Sequence, residues 1–412
     1  MSKHLSSPIV RGRFSHSLRD DVSALIYPFR FKQSRNKVEL YESEMCSYVG
    51  SLHCISFGFA RTAFWATLNA LSLPRNSKII LPSITIKAML DVVLHLGHVP
   101  IFVDTDPKTG CVDLDSLKDL LKENPRVILL TYLFGVVPNV EEIVSTLRRS
   151  SVYIVEDFSQ CLNGEFKGQK VGTFGDVSIL STSAVKTLDT YGGGLIFTND
   201  EKIHRSLRQI SRNLRELTFL EYCRKVLTSL IKNLFSSNPL FLFIAPIVFT
   251  LTKAKSPYLA RFVGSRSKEP IAALPKEWFV RLSNWQAACG LKYLDRVKAI
   301  DTARVTIAKM YSREFSFIGS DFREFTSSTF WQCIVLDDNP HILRARLASL
   351  GIDSAQTSLI LLSELPTYGW DLSEQNKGAK LIYSKGVYIP LYHQLKANEA
   401  SRIIKALSGT QS

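Results

Sequence analysis

The chain has 412 residues, 45% of them hydrophobic, 10% aromatic and 21% charged, which excludes a disordered polypeptide and provides for one sizeable core and a second, smaller one. Lys plus Arg total 51 against 37 Asp plus Glu, and the resulting +14 points to an anionic partner: phosphate ligands, nucleic acid or an anionic membrane surface. Seven scattered cysteines without a Cys-x-x-Cys pair argue against a disulfide framework or a cysteine-rich zinc site, and Met1–Leu40 lacks the apolar stretch of a secretory signal, so a cytoplasmic location is expected.

Residues 1–49 form an N-terminal segment. From 50 to 214, β-rich runs alternate with helical ones. The expected strands are Cys54–Phe57, Lys78–Leu81, Pro100–Asp104, Val127–Tyr132, Val152–Glu156, Val177–Leu180 and Gly194–Thr198. Helices are expected at Thr62–Ser72, Ile86–Leu96, Leu114–Lys122 and Asn139–Arg148. This alternation predicts an α/β domain, a mainly parallel seven-stranded sheet between helices, with ligands bound where strands end. Residues 215–268 depart from that pattern. They hold nine Lys/Arg against Glu216 and Glu221, half of the net charge, around the uncharged run Leu240–Leu251. Residues 269–412 read as a smaller α+β domain. It has one long helix or two in tandem over Arg281–Glu314, strands at Phe330–Leu336 and Gly386–Pro390, and helices at Ile342–Leu350 and Asn398–Leu407.

Chemistry concentrates in two stretches. In VYIVEDFSQ (152–160) a hydrophobic strand delivers Asp157 to the ligand-binding edge. In STSAVKTLDTYGGG (181–194), Ser181 and Lys186 precede a triple glycine able to adopt positive φ. Singly these are a turn acid and a solvated lysine. Together they fit pyridoxal phosphate chemistry, in which a lysine forms the Schiff base and an acid keeps the pyridinium nitrogen protonated so that the ring accepts electrons.

With these residues in place, the sequence resembles the DegT/DnrJ/StrS sugar aminotransferases, fold-type-I pyridoxal-phosphate enzymes. The resemblance rests on GFARTAF (58–64), PSIT (82–85), EDFSQ (156–160), STSAVK (181–186), GGG (192–194), RLSNWQAACGL (281–291) and YIPLYHQL (388–395), in the family's order. It covers about residues 50–215 and 276–407. It implies that Lys186 bonds the cofactor and shuttles a proton, that Asp157 pairs with the ring nitrogen, and that Gln160 bonds the phenolic oxygen. It also implies that Ser181, Arg61 and Thr62 hold the phosphate at a helix N-terminus. No metal is implied. Three positions depart from the family pattern: Ile86 where an aromatic residue often stacks on the ring, Ser183 where an aromatic residue or His is usual, and Phe279 where an Asn reaches the neighbouring subunit's phosphate. Because Lys186 is present, the dehydratase branch, which carries His there, is disfavoured.

The implied reaction moves an amino group from an amino acid, glutamate by analogy, to a nucleotide-linked keto-sugar, in a homodimer. The alternative places the ketone on a lipid or a lipid-linked sugar, because the apolar run flanked by Arg224, Lys225, Lys232, Lys253, Lys255 and Arg261 suits an anionic membrane surface. Twelve apolar residues are too few for a span of about 20, and Pro239 and Pro246 are expected to interrupt a continuous helix. The enzyme would then be peripheral on the inner face of the membrane. A nucleic-acid regulator is disfavoured, since the basic excess surrounds apolar residues without a recognition motif.

Overall fold

The computed structural model describes residues 7–30, 37–253, 271, 273–365, 368, 370, 372 and 374–408. All seven expected strands form, within a residue or two at their ends: β1 (His53–Phe57), β2 (Lys78–Pro82), β3 (Val99–Val103), β4 (Val127–Thr131), β5 (Tyr153–Asp157), β6 (Val177–Ser181) and β7 (Gly194–Thr198). They make one sheet in the order β1-β7-β6-β5-β4-β2-β3, in which only β7 runs antiparallel to its neighbours.

Helices cover both faces of this sheet, so β4, β6 and β7 are buried along their whole length and read as continuous apolar runs. Alternate residues serve opposite cores. Ile79, Leu81, Leu129 and Val155 pack with α3 (Ala60–Ala70), α4 (Lys87–His95) and α7 (Glu201–Arg212). Ile80, Ile128, Leu130 and Ile154 face α2 (Lys37–Val49), α6 (Val140–Arg148), α8 (Phe219–Ser236) and α10 (Asn284–Leu294). The N-terminal segment belongs to these cores: Tyr41 and Met45 of α2 are fully buried, and α1 (Leu18–Arg30) lies along α8.

A third core holds the C-terminal region. It joins α11 (Val297–Ser312), α12 (Pro340–Ser349), α13 (Lys377–Lys385) and α14 (Ala397–Ser408) to an antiparallel sheet of β8 (Cys333–Leu336), β9 (Ala355–Gln356) and β10 (Gly386–Ile389). The tandem-helix reading of Arg281–Glu314 is the one realised, as α10 and α11.

The described part of the insertion, 215–253, carries two helices, α8 and α9 (Asn238–Lys253), bent by 81° at their junction. The expected interruption at Pro246 does not occur, because the helix runs through that residue. Phe241 and Ala245 of α9 enter the C-terminal core, and that packing outweighs the lost backbone bond. Outward, Leu220, Leu227, Ile231 and Phe235 of α8 and Phe243 and Ile247 of α9 are exposed. No single helix among the described residues is long and apolar enough to cross a membrane. The expected basic residues Lys255 and Arg261 lie outside the described residues.

Candidate active site

The end of β5 presents two adjacent carboxylates to opposite faces. Glu156, fully buried, accepts hydrogen bonds from the Tyr132 hydroxyl at 2.6 Å and from the N–H groups of Gly172, Phe174 and Gly175 at 2.6–2.8 Å. It pins the loop after the strand, and burial pushes its carboxyl up. Asp157, also buried, accepts one bond through Oδ1, from the Ser159 N–H at 3.0 Å. Oδ1 is thus engaged locally, and what singles out Asp157 is the family resemblance, since the fragment alone reads as a turn acid.

One strand across, Ser181 ends β6. Its N–H donates to Ser159 Oγ at 2.8 Å, tying the two strand ends together, and its hydroxyl lies 2.9 Å from that of Ser183. The loop that follows carries Lys186, half-buried, with Nζ 4.0 Å from the centre of the Trp331 ring. The loop is braced on both sides of the lysine. Val185 sits at φ 66°, a costly conformation for a β-branched residue. Its N–H donates to Asp189 Oδ2 at 3.2 Å and its carbonyl accepts from Trp331 Nε1 at 3.0 Å. On the other side, the Thr187 hydroxyl is held by the buried Arg304–Asp301 pair.

Asp189 is the hub of this loop. Beyond Val185 it accepts the Tyr191 N–H at 2.8 Å and pairs with His16 Nε2 at 3.1 Å, while His16 Nδ1 lies 3.1 Å from Asp21. Burial alone would push the His16 imidazole down, but the two carboxylates outweigh it and hold its pKa at about 9. The insertion reaches the same cluster, since Asn233 of α8 donates to Asp21 at 2.9 Å and to the His16 carbonyl at 3.1 Å.

The third element is the start of α3. Helices α5 (Leu114–Leu121), α6, α7, α8 and α10 carry Asp, Asn, Thr or Ser caps that accept N–H groups of the first turn. The starts of α3, α4, α11, α12 and α13 have no side-chain cap. At α3 the cap is Phe59, and what distinguishes this start is that it abuts the ends of β6 and β7 at the ligand edge, with first-turn N–H groups able to meet an anion. Gly194, whose register partner is Ser181, abuts this start, and a Cβ there would come within 2.4 Å of the Ala60 nitrogen. Gly192 and Gly193 adopt φ of 112° and 155°, as the glycine turn predicts.

The Arg61 guanidinium lies between the rings of Phe59 and Trp278, 4.3 and 4.4 Å from their centres. Thr62 is buried and its hydroxyl donates to the Trp278 carbonyl at 2.7 Å, so what it offers an anion is its place in the first turn. Gln160 accepts the Phe134 N–H through Oε1 at 2.7 Å, which orients its amide and leaves Nε2 as a donor.

Of the three departures, Phe279 packs edge-on against Trp65 of α3 at 4.9 Å, Ile86 packs into the core at the start of α4, and Ser183 meets Ser181. Sequence reasoning missed His16, Asp189, Trp331, Arg304 and Lys225. A buried-type Asp three residues after Lys186 was the one local signal.

One further cluster, His53, Glu201 and His204, brings three metal-ligand atoms within 4.8 Å of one another. Its imidazoles stack at 4.1 Å and 5°, so an ion in the plane of one ring lies outside the plane of the other, and the His53–Glu201 contact at 3.1 Å accounts for the grouping.

A mainly parallel sheet with one antiparallel strand, a strand-end carboxylate, a braced lysine and an uncapped helix start together define the fold-type-I pyridoxal-phosphate class, and these residues fit that cofactor. The sequence profile of the DegT/DnrJ/EryC1/StrS aminotransferase family, which is pyridoxal-phosphate-dependent, matches residues 19–222 and 278–408, and the chain belongs to this family.

Among curated relatives, GDP-perosamine synthase of Caulobacter vibrioides is 29% identical over 41% of this chain and 45% of its own length. UDP-2-acetamido-2-deoxy-3-oxo-D-glucuronate aminotransferase of Pseudomonas aeruginosa is 29% identical over 42% and 48%. The chain thus spans about half the length of the curated relatives it matches. Solved structures agree in fold across the whole chain. PseC of Helicobacter pylori, an aminotransferase involved in pseudoaminic acid biosynthesis, has a TM-score of 0.72 at 19% identity, covering 98% of this chain and 99% of that one. The sugar aminotransferase CalS13 of Micromonospora echinospora gives 0.72 at 20%, covering 98% and 100%.

Proposed function

We propose that this protein is an aminotransferase that uses pyridoxal 5'-phosphate to pass an amino group from an amino acid, with glutamate the expected donor, to a nucleotide-linked keto-sugar. The observation that carries this reading is the gathering of Asp157, Lys186 and the open start of α3 at one edge of the sheet. Once bound, the cofactor supplies an electron sink at the substrate carbon. Lys186 would hold the cofactor through its amine and would move the proton at that carbon. Asp157 would keep the ring nitrogen protonated, Gln160 Nε2 would donate to the phenolic oxygen, and Ser181, Arg61 and the first turn of α3 with Thr62 would hold the phosphate. The two curated relatives are named for nucleotide sugars, which favours a keto-sugar over a lipid-linked ketone.

Adding pyridoxal 5'-phosphate to the apoprotein should produce a visible absorbance band that an amino donor bleaches. Lys186→Ala should give no such band and no turnover. A wild-type protein that takes up the aldehyde without the band, or a Lys186→Ala variant that retains it, would sink the reading.

The cofactor-binding residues 50–214, the insertion 215–268 and the region 269–412 are proposed as functional units of a cytoplasmic homodimer. The exposed apolar residues of α8 share that helix with the exposed cations Arg224 and Lys232, and those of α9 follow it in the most basic stretch of the chain. This pairing favours peripheral contact with an anionic membrane surface, with apolar side chains at the acyl boundary and cations among the head groups. The intact protein should float with phosphatidylglycerol vesicles, less so at high salt, and Leu227→Asp with Phe243→Asp should stay in the pellet fraction. Equal flotation of the two proteins would overturn the contact. So would a variant whose mass halves by light scattering while its lipid binding is unchanged, since a second copy would then be the partner.

A further inference from the structure

Helix α8 sends one cation inward, to the place where an anion is expected. Lys225 is half-buried, with Nζ 4.1 Å from the centre of the Phe59 ring, the same ring that carries the Arg61 guanidinium on its other contact at 4.3 Å. It also presses on the glycine turn, since a Cβ on Gly192 would come within 2.8 Å of Nζ. Among the described residues no carboxylate forms a salt bridge with it. Two positive charges thus share one aromatic ring at the uncapped start of α3. Burial first, and then the charge of Arg61, push the Lys225 ammonium down to about 8. Glu221 and Asp189 oppose these effects, and a multiply charged anion beside the two groups would favour both.

We infer that Lys225 is a phosphate-anchoring residue, supplied by the insertion, that joins Arg61 and the first turn of α3 in seating the cofactor's phosphate. This inference rests on the function proposed above. It gives the insertion a role at the site itself and accounts for a Phe at 279, whose ring is spent on Trp65: the anchoring charge comes from the same chain, on α8. The chemistry is a phosphate monoester, which the cofactor carries and the diphosphate of a sugar nucleotide does not.

The test compares two aldehydes in wild type, Lys225→Met and Lys225→Arg, titrated into apoprotein and read as dissociation constants from the absorbance band. Pyridoxal 5'-phosphate should bind Lys225→Met about 10- to 100-fold more weakly than wild type, the worth of one charge-assisted hydrogen bond. Pyridoxal, which lacks the phosphate, should bind both alike, and Lys225→Arg should recover most of the affinity. Equal weakening of both aldehydes would show a structural role and overturn the inference. Unchanged affinity for the phosphorylated aldehyde, or a loss confined to a nucleoside diphosphate, would overturn it too. Absence of the band in wild type would instead refute the proposed function, so the two failures are distinguishable.

Discussion

Asp157→Asn is expected to lower kcat about 10²–10³-fold while the visible band still forms, because the amide cannot hold a proton on the ring nitrogen but leaves the Lys186 bond intact. The neighbouring carboxylate gives the contrast. Glu156→Gln should leave kcat of the surviving folded enzyme within a few fold and instead cost stability, on the order of 2–5 kcal/mol, since four buried donors converge on an acceptor that has lost an oxygen. Denaturant unfolding alongside single-turnover kinetics separates the two variants. If Glu156→Gln silences the chemistry and Asp157→Asn does not, the assignment of the two carboxylates is reversed.

The second large effect is expected at Asp189→Asn. The substitution leaves the His16 imidazolium buried beside Asp21 alone and weakens the hold on Val185 and Tyr191, two residues kept at positive φ. Removing one partner of a buried charge pair costs about 3–5 kcal/mol, and a lysine displaced by roughly 1 Å loses about 10²-fold in rate. The cluster also predicts a pH dependence. The folded-state pKa of His16 is raised from 6.5 to about 9, so its stabilising contribution is complete below 6.5 and is lost as pH rises through 9. Wild-type unfolding free energy should therefore fall across that window, and His16→Gln should show a flatter profile. Parallel profiles for the two proteins would mean that the imidazole is neutral in the fold.

The sheet and three of its site residues are legible in the chain because they obey local rules. A buried strand reads as an apolar run whose last residues reach the ligand edge, where Asp157 and Ser181 stand, but singling them out with Lys186 took the ordered motifs of the family resemblance. What holds these groups still is not local. Asp189 finds His16 across 173 positions, and Thr187 finds Arg304 across 117, so no window of sequence contains both partners. Lys225 escaped for another reason. In a stretch with nine cations flanking an apolar run, Lys225 reads as one more cation for an anionic membrane surface, whereas in the fold it lies against Phe59 and the glycine turn. Pro246 misled in the opposite sense, because the anchoring of Phe241 and Ala245 in a distant core is invisible to a rule about backbone donors.

The 81° elbow between α8 and α9 has a practical consequence. One arm touches the glycine turn through Lys225 and the His16 cluster through Asn233, and the other is rooted among the C-terminal helices. The two lobes are thereby strapped together by α8 and α9, most of whose residues fall in the stretch 223–277 that the family profile leaves unmatched. A chimera that replaces α8 and α9 would have to rebuild both footings at once, and swaps made with either arm alone would leave the other lobe with an open seam.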